Sequence, residues 1–356
     1  MQATLPGGLE AKEARVFGLI GLLAVGAVAL RVFGASPVVV FIGAGVAVAG
    51  LAWVLGVATE EAGEAAGPRI SALLNATFGN LPEMIIVILA IREGLLDVAR
   101  ASIIGSVIGN VLLILGAALA FSGWKNGRQT FDRAAAGLNA TMLVLATAAL
   151  AIPTLFAATT GTSLGDERGL THLMAVIMIA LYALYLLASF QDPERGGDIS
   201  HGTPRWSIPL SLTMLALTAL ATGVLSEILV AAIEPTIEQT GISEVFIGLI
   251  IVPLVGNVAE HMAAVKIAAG GNLDFAMGIA YNSALQVALG VTAVAIAAGY
   301  IFDHELVLDF NALEIAFLIA ATMLAGLVAS NGNANWIEGV QLLAIYAMAC
   351  IVFWYL

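Results

Sequence analysis

Apolar runs of roughly 20 residues follow one another from end to end of the chain, parted by short breaks of polar residues, proline or glycine. At 1.5 Å per residue, a helix of about 20 residues crosses the hydrocarbon core of a bilayer. The breaks divide the sequence into eleven predicted spans, at 16–33, 37–58, 69–91, 98–122, 134–157, 170–190, 206–231, 245–269, 273–301, 310–329 and 334–356. Short segments alternating apolar and polar residues, the mark of a transmembrane β-barrel, are absent. The expected fold class is an all-α polytopic membrane protein. The first run, Val16 to Leu30, follows Lys12 and Arg15 as a signal peptide's apolar region would. No convincing small-residue cleavage site precedes Arg31-Val32-Phe33, so it is read as a retained helix.

Polar residues inside the runs are few, and the most telling recur. Gly79-Asn80-Leu81-Pro82-Glu83 and Gly256-Asn257-Val258-Ala259-Glu260 both read G-N-x-x-E and lie 177 residues apart. A serine follows 26 residues after each asparagine, at Ser106 and Ser283. The 177-residue offset carries a residue forward by five crossings, an odd number, so the second copy lies upside down relative to the first. Eleven spans then divide into an extra N-terminal helix (1–35), a five-helix repeat (36–190), a linker (191–205) and a second, inverted five-helix repeat (206–356). The linker is the longest polar connection in the chain. Inverted repeats are a transporter architecture whose sites lie near the midplane where the repeats meet.

A carboxylate at the bilayer centre costs about 2.5–3.5 kcal/mol on insertion scales. Glu83 and Glu260 both fall well inside their spans, so the pair is expected to serve a charged substrate. Pro82 and Pro253 remove helical hydrogen bonds, and the adjacent glycines ease unwinding. Broken helices with freed carbonyls are expected, tolerated where they are buried in protein or line a watery cavity. Carboxylate, Asn80 and Asn257 amide oxygens and freed carbonyls together suit Ca²⁺, which takes 6–8 oxygens. In the following helices Asn110 and Gln286 are expected in the site wall. Ser106 and Ser283 fit either a ligand or a close-packing role. His261, beside Glu260, is a proton relay or a satisfied packing residue. Glu60, Glu61 and Glu64 precede the first motif helix, and Glu227 and Glu244 flank the loop before the second. They sit at corresponding vestibules, where Glu60 and Glu227 are the stronger candidates for a role beyond solvated helix ends.

Composition agrees with this picture: 60% of residues are hydrophobic and 11% charged, with a mean hydropathy of +1.00. Soluble domains carry about 25% charged residues. The net charge of −12 without a basic cluster argues against a nucleic-acid partner. The lone Cys350 excludes an intrachain disulfide; it, the methionines and the aromatic residues are read as core or interface anchors. Numbering alternate sides of the spans puts nine basic residues on one side and four on the other. The positive-inside rule then places the N-terminus in the cytoplasm and the C-terminus outside. No H-E-x-x-H metal motif is present to support an intramembrane hydrolase, the enzymatic alternative, and acids in matched repeats do not suit a single asymmetric reaction.

The strings Ala58-Thr59-Glu60, Gly67-Pro68-Arg69, Leu74 to Asn80 with Glu83, Gly105 to Asn110, Phe246-Ile247-Gly248, Gly256 to His261 and Asn335 to Gly339 carry a resemblance. On these residues the chain resembles the calcium/proton antiporters of the calcium/cation antiporter superfamily, nearly end to end. The resemblance implies Ca²⁺ as the transported ion, H⁺ as its counter-substrate, no cofactor, and residence in the cell membrane. It implies that Glu83 and Glu260 bind the cation and exchange protons, that backbone at Ala76 and Val252 adds ligands, and that Glu60, Glu227 and Glu244 line the access routes. The chain departs from the family pattern at Leu81-Pro82, at Asn282 and at Asn331-Gly332-Asn333-Ala334. The proline is similar to that of sodium/calcium exchangers, the alternative on the same fold.

Overall fold

The computed structural model describes residues 8–161, 164–191 and 204–356. Most of the predicted linker, 192–203, lies outside these. The described residues form α1 (Ala11–Val32), α2 (Pro37–Ala66), α3 (Pro68–Phe78), α4 (Leu81–Arg92), α5 (Leu96–Ile108), α6 (Leu115–Asn126), α7 (Arg133–Thr160), α8 (Leu164–Gln191) and α9 (Ile208–Ala231). The second half continues with α10 (Ile233–Thr240), α11 (Glu244–Phe246), α12 (Val252–Gly256), α13 (Val258–Ala269), α14 (Leu273–Leu285), α15 (Thr292–Ile301), α16 (Ala312–Asn331) and α17 (Trp336–Trp354). Among the described residues, ten helical segments are long and apolar enough to cross a bilayer, and an eleventh span is a helix pair bent by 61° between Gly256 and Val258. All eleven predicted spans are present.

The repeat is visible in the helix limits. α4 and α13 begin and end 177 residues apart, and so do α5 and α14. Two π-helical turns, Gly109–Ile114 and Gln286–Val291, obey the same offset. Sequence reasoning did not foresee them. A π turn holds one residue more than an α turn and tends to occur at functional sites; here each joins the two halves of a deeply buried helix, α5 to α6 and α14 to α15. α1 and α8 lie at the periphery, presenting side chains such as Leu22, Val25, Leu173 and Leu184 outward. In a bilayer those faces meet lipid.

Contacts between helix ends sort into two sets, as alternating spans require. At one end, Gln129–Thr130 and Asn333–Ala334 pair as two-residue antiparallel strands. Asn126 reaches Ala269 at 3.4 Å, the Asp132 amide donates to Asp274 at 2.5 Å, and Arg205 pairs with Glu61 and Glu13. At the other end Arg92 pairs with Glu227 at 2.9 Å, and His304 Nδ1 lies 2.8 Å from the Ile91 carbonyl. Each loop touches loops that the span count puts on its own side.

Small residues let the innermost helices close up. A Cβ on Gly105 of α5 would stand 2.0 Å from the Leu249 carbonyl oxygen, and one on Gly248 would stand 2.5 Å from that of Val98. Pro253 has no N–H to offer the Leu249 carbonyl, and that carbonyl lies against the Gly105 backbone. Gly105→Ala is expected to destabilise the fold by about 1–3 kcal/mol or more through overpacking. A lower melting temperature in detergent checks this; an unchanged one would show that α5 has room to shift.

Candidate ion site where the two motifs meet

The helices break at the motifs, but not at the prolines. The first break is the turn at Gly79–Asn80 and the second is at Asn257. Pro82 occupies the first turn of α4, whereas Pro253 lies inside a helix that runs without a break from Glu244 through a π turn at Ile247–Ile251 to Gly256, four residues ahead of the bend. Pro82, in a first turn, needs no helical N–H partner and is well accommodated there, while Pro253 offers no N–H to the turn before it. The asparagines, as N-caps of α4 and α13 with non-helical backbone, make the breaks.

The broken ends face each other across the repeat boundary. A Cβ on Gly79 of the first motif would lie 3.5 Å from Glu260 Oε1 of the second. A Cβ on Gly256 of the second would lie 3.2 Å from Glu83 Cβ of the first. Each motif glycine thus makes room for the other motif's glutamate. Glu260 is the acidic neighbour of Glu83. Both carboxylates lie in the first turn of their helices, where the positive end of the helix dipole favours negative charge.

The two halves of this centre differ in hydrogen bonding. Around Glu260 the network is closed. Ser283 Oγ lies 2.5 Å from Glu260 Oε2 and 3.1 Å from Asn80 Oδ1, and it accepts from Asn110 Nδ2 at 2.9 Å. Asn80 Nδ2 donates to Gln286 Oε1 at 2.7 Å. Asn110 and Gln286 both sit in the π turns, which bring them to the wall. Around Glu83 the network is open. Glu83 is fully buried, and neither carboxylate oxygen has a hydrogen bond of ordinary geometry, though the Asn257 side chain acts on it from nearby. Asn257 Oδ1, Ser106 Oγ and Asn110 Oδ1 are buried and likewise unpartnered. Such oxygens, each costing about 1–3 kcal/mol when left alone, are the donor set a hard cation takes. Among the described residues no three acidic, histidine or cysteine side chains converge. An ion here would complete its shell with amides, hydroxyls, carbonyls and water.

The Ala76 carbonyl, at the end of α3, accepts from Tyr182 at 3.3 Å, and Val252 begins α12. His261 is half-buried next to Glu260. Glu60 is exposed at the end of α2, Glu227 is exposed and paired with Arg92, and Glu244 is half-buried at the start of α11. Two groups escaped sequence reasoning. Glu61, not Glu60, is the buried acid of its cluster, bound to Arg205. Tyr182 and Tyr185, read as packing residues, point hydroxyls at the site's surroundings: Tyr185 donates to Asn282 at 2.6 Å.

The sodium/calcium exchanger protein family model matches residues 36–191 and again 210–355. The chain belongs to that family. Its relatives include the Ca(2+)/H(+) antiporter of Synechocystis, 35% identical over 89% of this chain and 91% of the other. The Ca(2+)/H(+) antiporter ChaA of Bacillus subtilis is 36% identical over 87% of this chain and 90% of its own. Among solved structures, YfkE, a Ca2+/H+ antiporter protein, superposes with a TM-score of 0.84 at 33% identity, over 96% of this chain and 100% of that one. The sodium-calcium exchanger NCX_Mj superposes at 0.57 and 19% identity over 88% and 99%, a likeness of fold. One fold is thus shared by proteins named for proton and for sodium exchange.

Proposed function

We propose that this protein is a secondary active antiporter that exchanges Ca²⁺ for H⁺, with cation and protons competing for Glu83 and Glu260. The observation that carries the proposal is the reciprocal seating of the motifs, which sets the fully buried Glu83 and the half-buried Glu260, acids from opposed repeats, beside one another. The relatives' names favour protons over sodium as the counter-ion.

Coupling follows from charge. A bare pair of carboxylates in a low dielectric is costly, so the empty, doubly ionised site does not reorient. One Ca²⁺ cancels both charges, and so do two protons. Only these two neutral states move, which ties export of one cation to entry of about two protons. Asn80, Asn257, Ser106 and Ser283 supply neutral oxygens, and carbonyls near Ala76 and Val252 add to them. Asn110 and Gln286 hold the wall, and His261 passes protons to and from Glu260. Glu60, Glu227 and Glu244 line the two approaches. Residues 36–190 and 206–356 act as the two units, with 191–205 crossing on the cytoplasmic side and the N-terminus there as well.

In liposomes with separately imposed gradients, a pH difference is expected to drive Ca²⁺ uptake, and a sodium difference at equal pH to leave it at background. Sodium-driven uptake would assign the protein to the exchangers coupled to that ion. Activity that survives collapse of every ion gradient would favour an enzyme.

A further inference from the structure

Ala76 lies in the last turn of α3, where the helix stops before Asn80 and its final carbonyls lose their i+4 partners. Those carbonyls carry the negative end of the helix dipole. The Ala76 oxygen is not left bare: the Tyr182 hydroxyl of α8 donates to it at 3.3 Å. That is long for an O–H···O bond, so the contact is weak and readily given up. The phenol ring is positioned by its floor. A Cβ on Gly290 would lie 3.1 Å from Tyr182 ring atoms, and Gly290 belongs to the π turn that also holds Gln286, the acceptor for Asn80. Tyr185 lies three residues along and therefore on the same face of α8. Its hydroxyl donates at 2.6 Å to Asn282, the neighbour of Ser283. One helix thus sets a hydroxyl against each half of the ion centre, with the stronger bond on the second half.

We infer that Tyr182 competes with the transported cation for the Ala76 carbonyl, seated there by the Gly290 floor and the Tyr185–Asn282 bond. A donated hydrogen and a metal ion both present positive charge to the same oxygen, so each weakens the other's hold. The tyrosine lowers the affinity of the loaded site and favours release of the ion. This inference rests on the proposed cation site, with Glu83 and Glu260 at its centre and the Ala76 carbonyl among its ligands.

The test is Ca²⁺ binding and transport by the purified full-length protein, with Tyr182→Phe, Tyr185→Phe, Gly290→Ala and Glu83→Gln side by side. Tyr182→Phe removes the hydroxyl and keeps the ring. It is expected to lower the half-saturating Ca²⁺ concentration about threefold, within the range one modest hydrogen bond spans. Tyr185→Phe is expected to shift it less in the same direction. Gly290→Ala pushes the ring off its floor and is expected to act like Tyr182→Phe, which covers the case of a poorly folding phenylalanine variant. A merely structural role would reduce maximal flux or yield without tightening binding. An unchanged or raised half-saturating concentration in both Tyr182→Phe and Gly290→Ala, with Glu83→Gln devoid of saturable binding, overturns the competitor role alone. Saturable Ca²⁺ binding by Glu83→Gln overturns the site assignment beneath it.

Discussion

Glu83→Gln is expected to abolish proton-driven Ca²⁺ transport while leaving the protein folded. The amide keeps the shape of the carboxyl group and loses its charge. Unit charges 4 Å apart interact by about 4 kcal/mol at an effective dielectric of 20, about a thousandfold in binding for each charge removed. The loss reaches coupling as well as affinity. With one carboxylate left, a divalent ion gives a positively charged site, and one proton already gives a neutral one, so the two loaded states no longer match. Folding should not suffer, because neither Glu83 oxygen has a hydrogen bond of ordinary geometry to lose. Removing a buried, poorly paired charge is neutral or stabilising. The checks are Ca²⁺ uptake into inverted vesicles and the melting temperature with and without Ca²⁺. Wild-type protein should melt higher as Ca²⁺ is added, by mass action, and the variant should show no such rise from an apo value at or above the wild-type one. Full proton-driven uptake by Glu83→Gln would refute the two-carboxylate site. Glu260→Gln should lose transport too. Its amide can still accept the Ser283 hydroxyl, now at 2.5 Å from Glu260 Oε2, so the closed half of the centre should survive.

The motif pair, the span count and the inversion are all legible in the sequence because each is a matter of spacing. Membrane burial forces backbone bonds to close within helices, so span limits follow from apolar length and from Pro, Gly and polar punctuation. The 177-residue offset then carries depth and orientation across to the other half. Geometry that depends on a distant partner was not legible. Ser283 meets Glu260 and Asn80 only because α14 packs against α13 and carries Ser283 to the break at Asn80. The π turns have no compositional mark; Gly109–Ile114 reads as an ordinary apolar helix. Pro82 misled as to where its helix breaks, since a first-turn proline fits a helix as easily as an interior one disrupts it, and the helix holding Pro253 runs on to Gly256 before it bends. Tyrosines read as packing residues because nothing local reveals where a hydroxyl ends up. The burial of Glu61 was not legible for the same reason: its partner, Arg205, lies 144 residues along the chain.

That buried acid supports the second large expected effect, on stability. Glu61 stands near the end of α2 with its side chain only 3% exposed. It accepts the backbone N–H of Arg205 at 2.8 Å and of Trp206 at 3.1 Å, just ahead of the start of α9. It also accepts Arg205 Nε at 2.7 Å, while another guanidinium nitrogen donates to Glu13 of α1 at 2.7 Å. One carboxylate therefore ties together three helices that are first in their units: the extra helix and the leading helix of each repeat. Its charge also faces the positive end of the α9 dipole. Breaking a buried ion pair from one side costs about 3–5 kcal/mol, but the Arg205 side chain is 47% exposed and can rehydrate. A loss of about 2–3 kcal/mol is therefore expected for Glu61→Ala, most of it from the two backbone amides left without an acceptor. Glu61→Gln keeps an acceptor and should lose about half as much. Arg205→Ala strands the carboxylate with its two amides and should fall between them. Melting temperatures of the three variants in detergent, ranked in that order, check the assignment. Equal, small shifts would mean that the amides find water and that the pair is only a surface latch. Since none of these residues touches the Glu83–Glu260 centre, the half-saturating Ca²⁺ concentration of each variant that folds should stay at the wild-type value, which separates this anchor from the ion site.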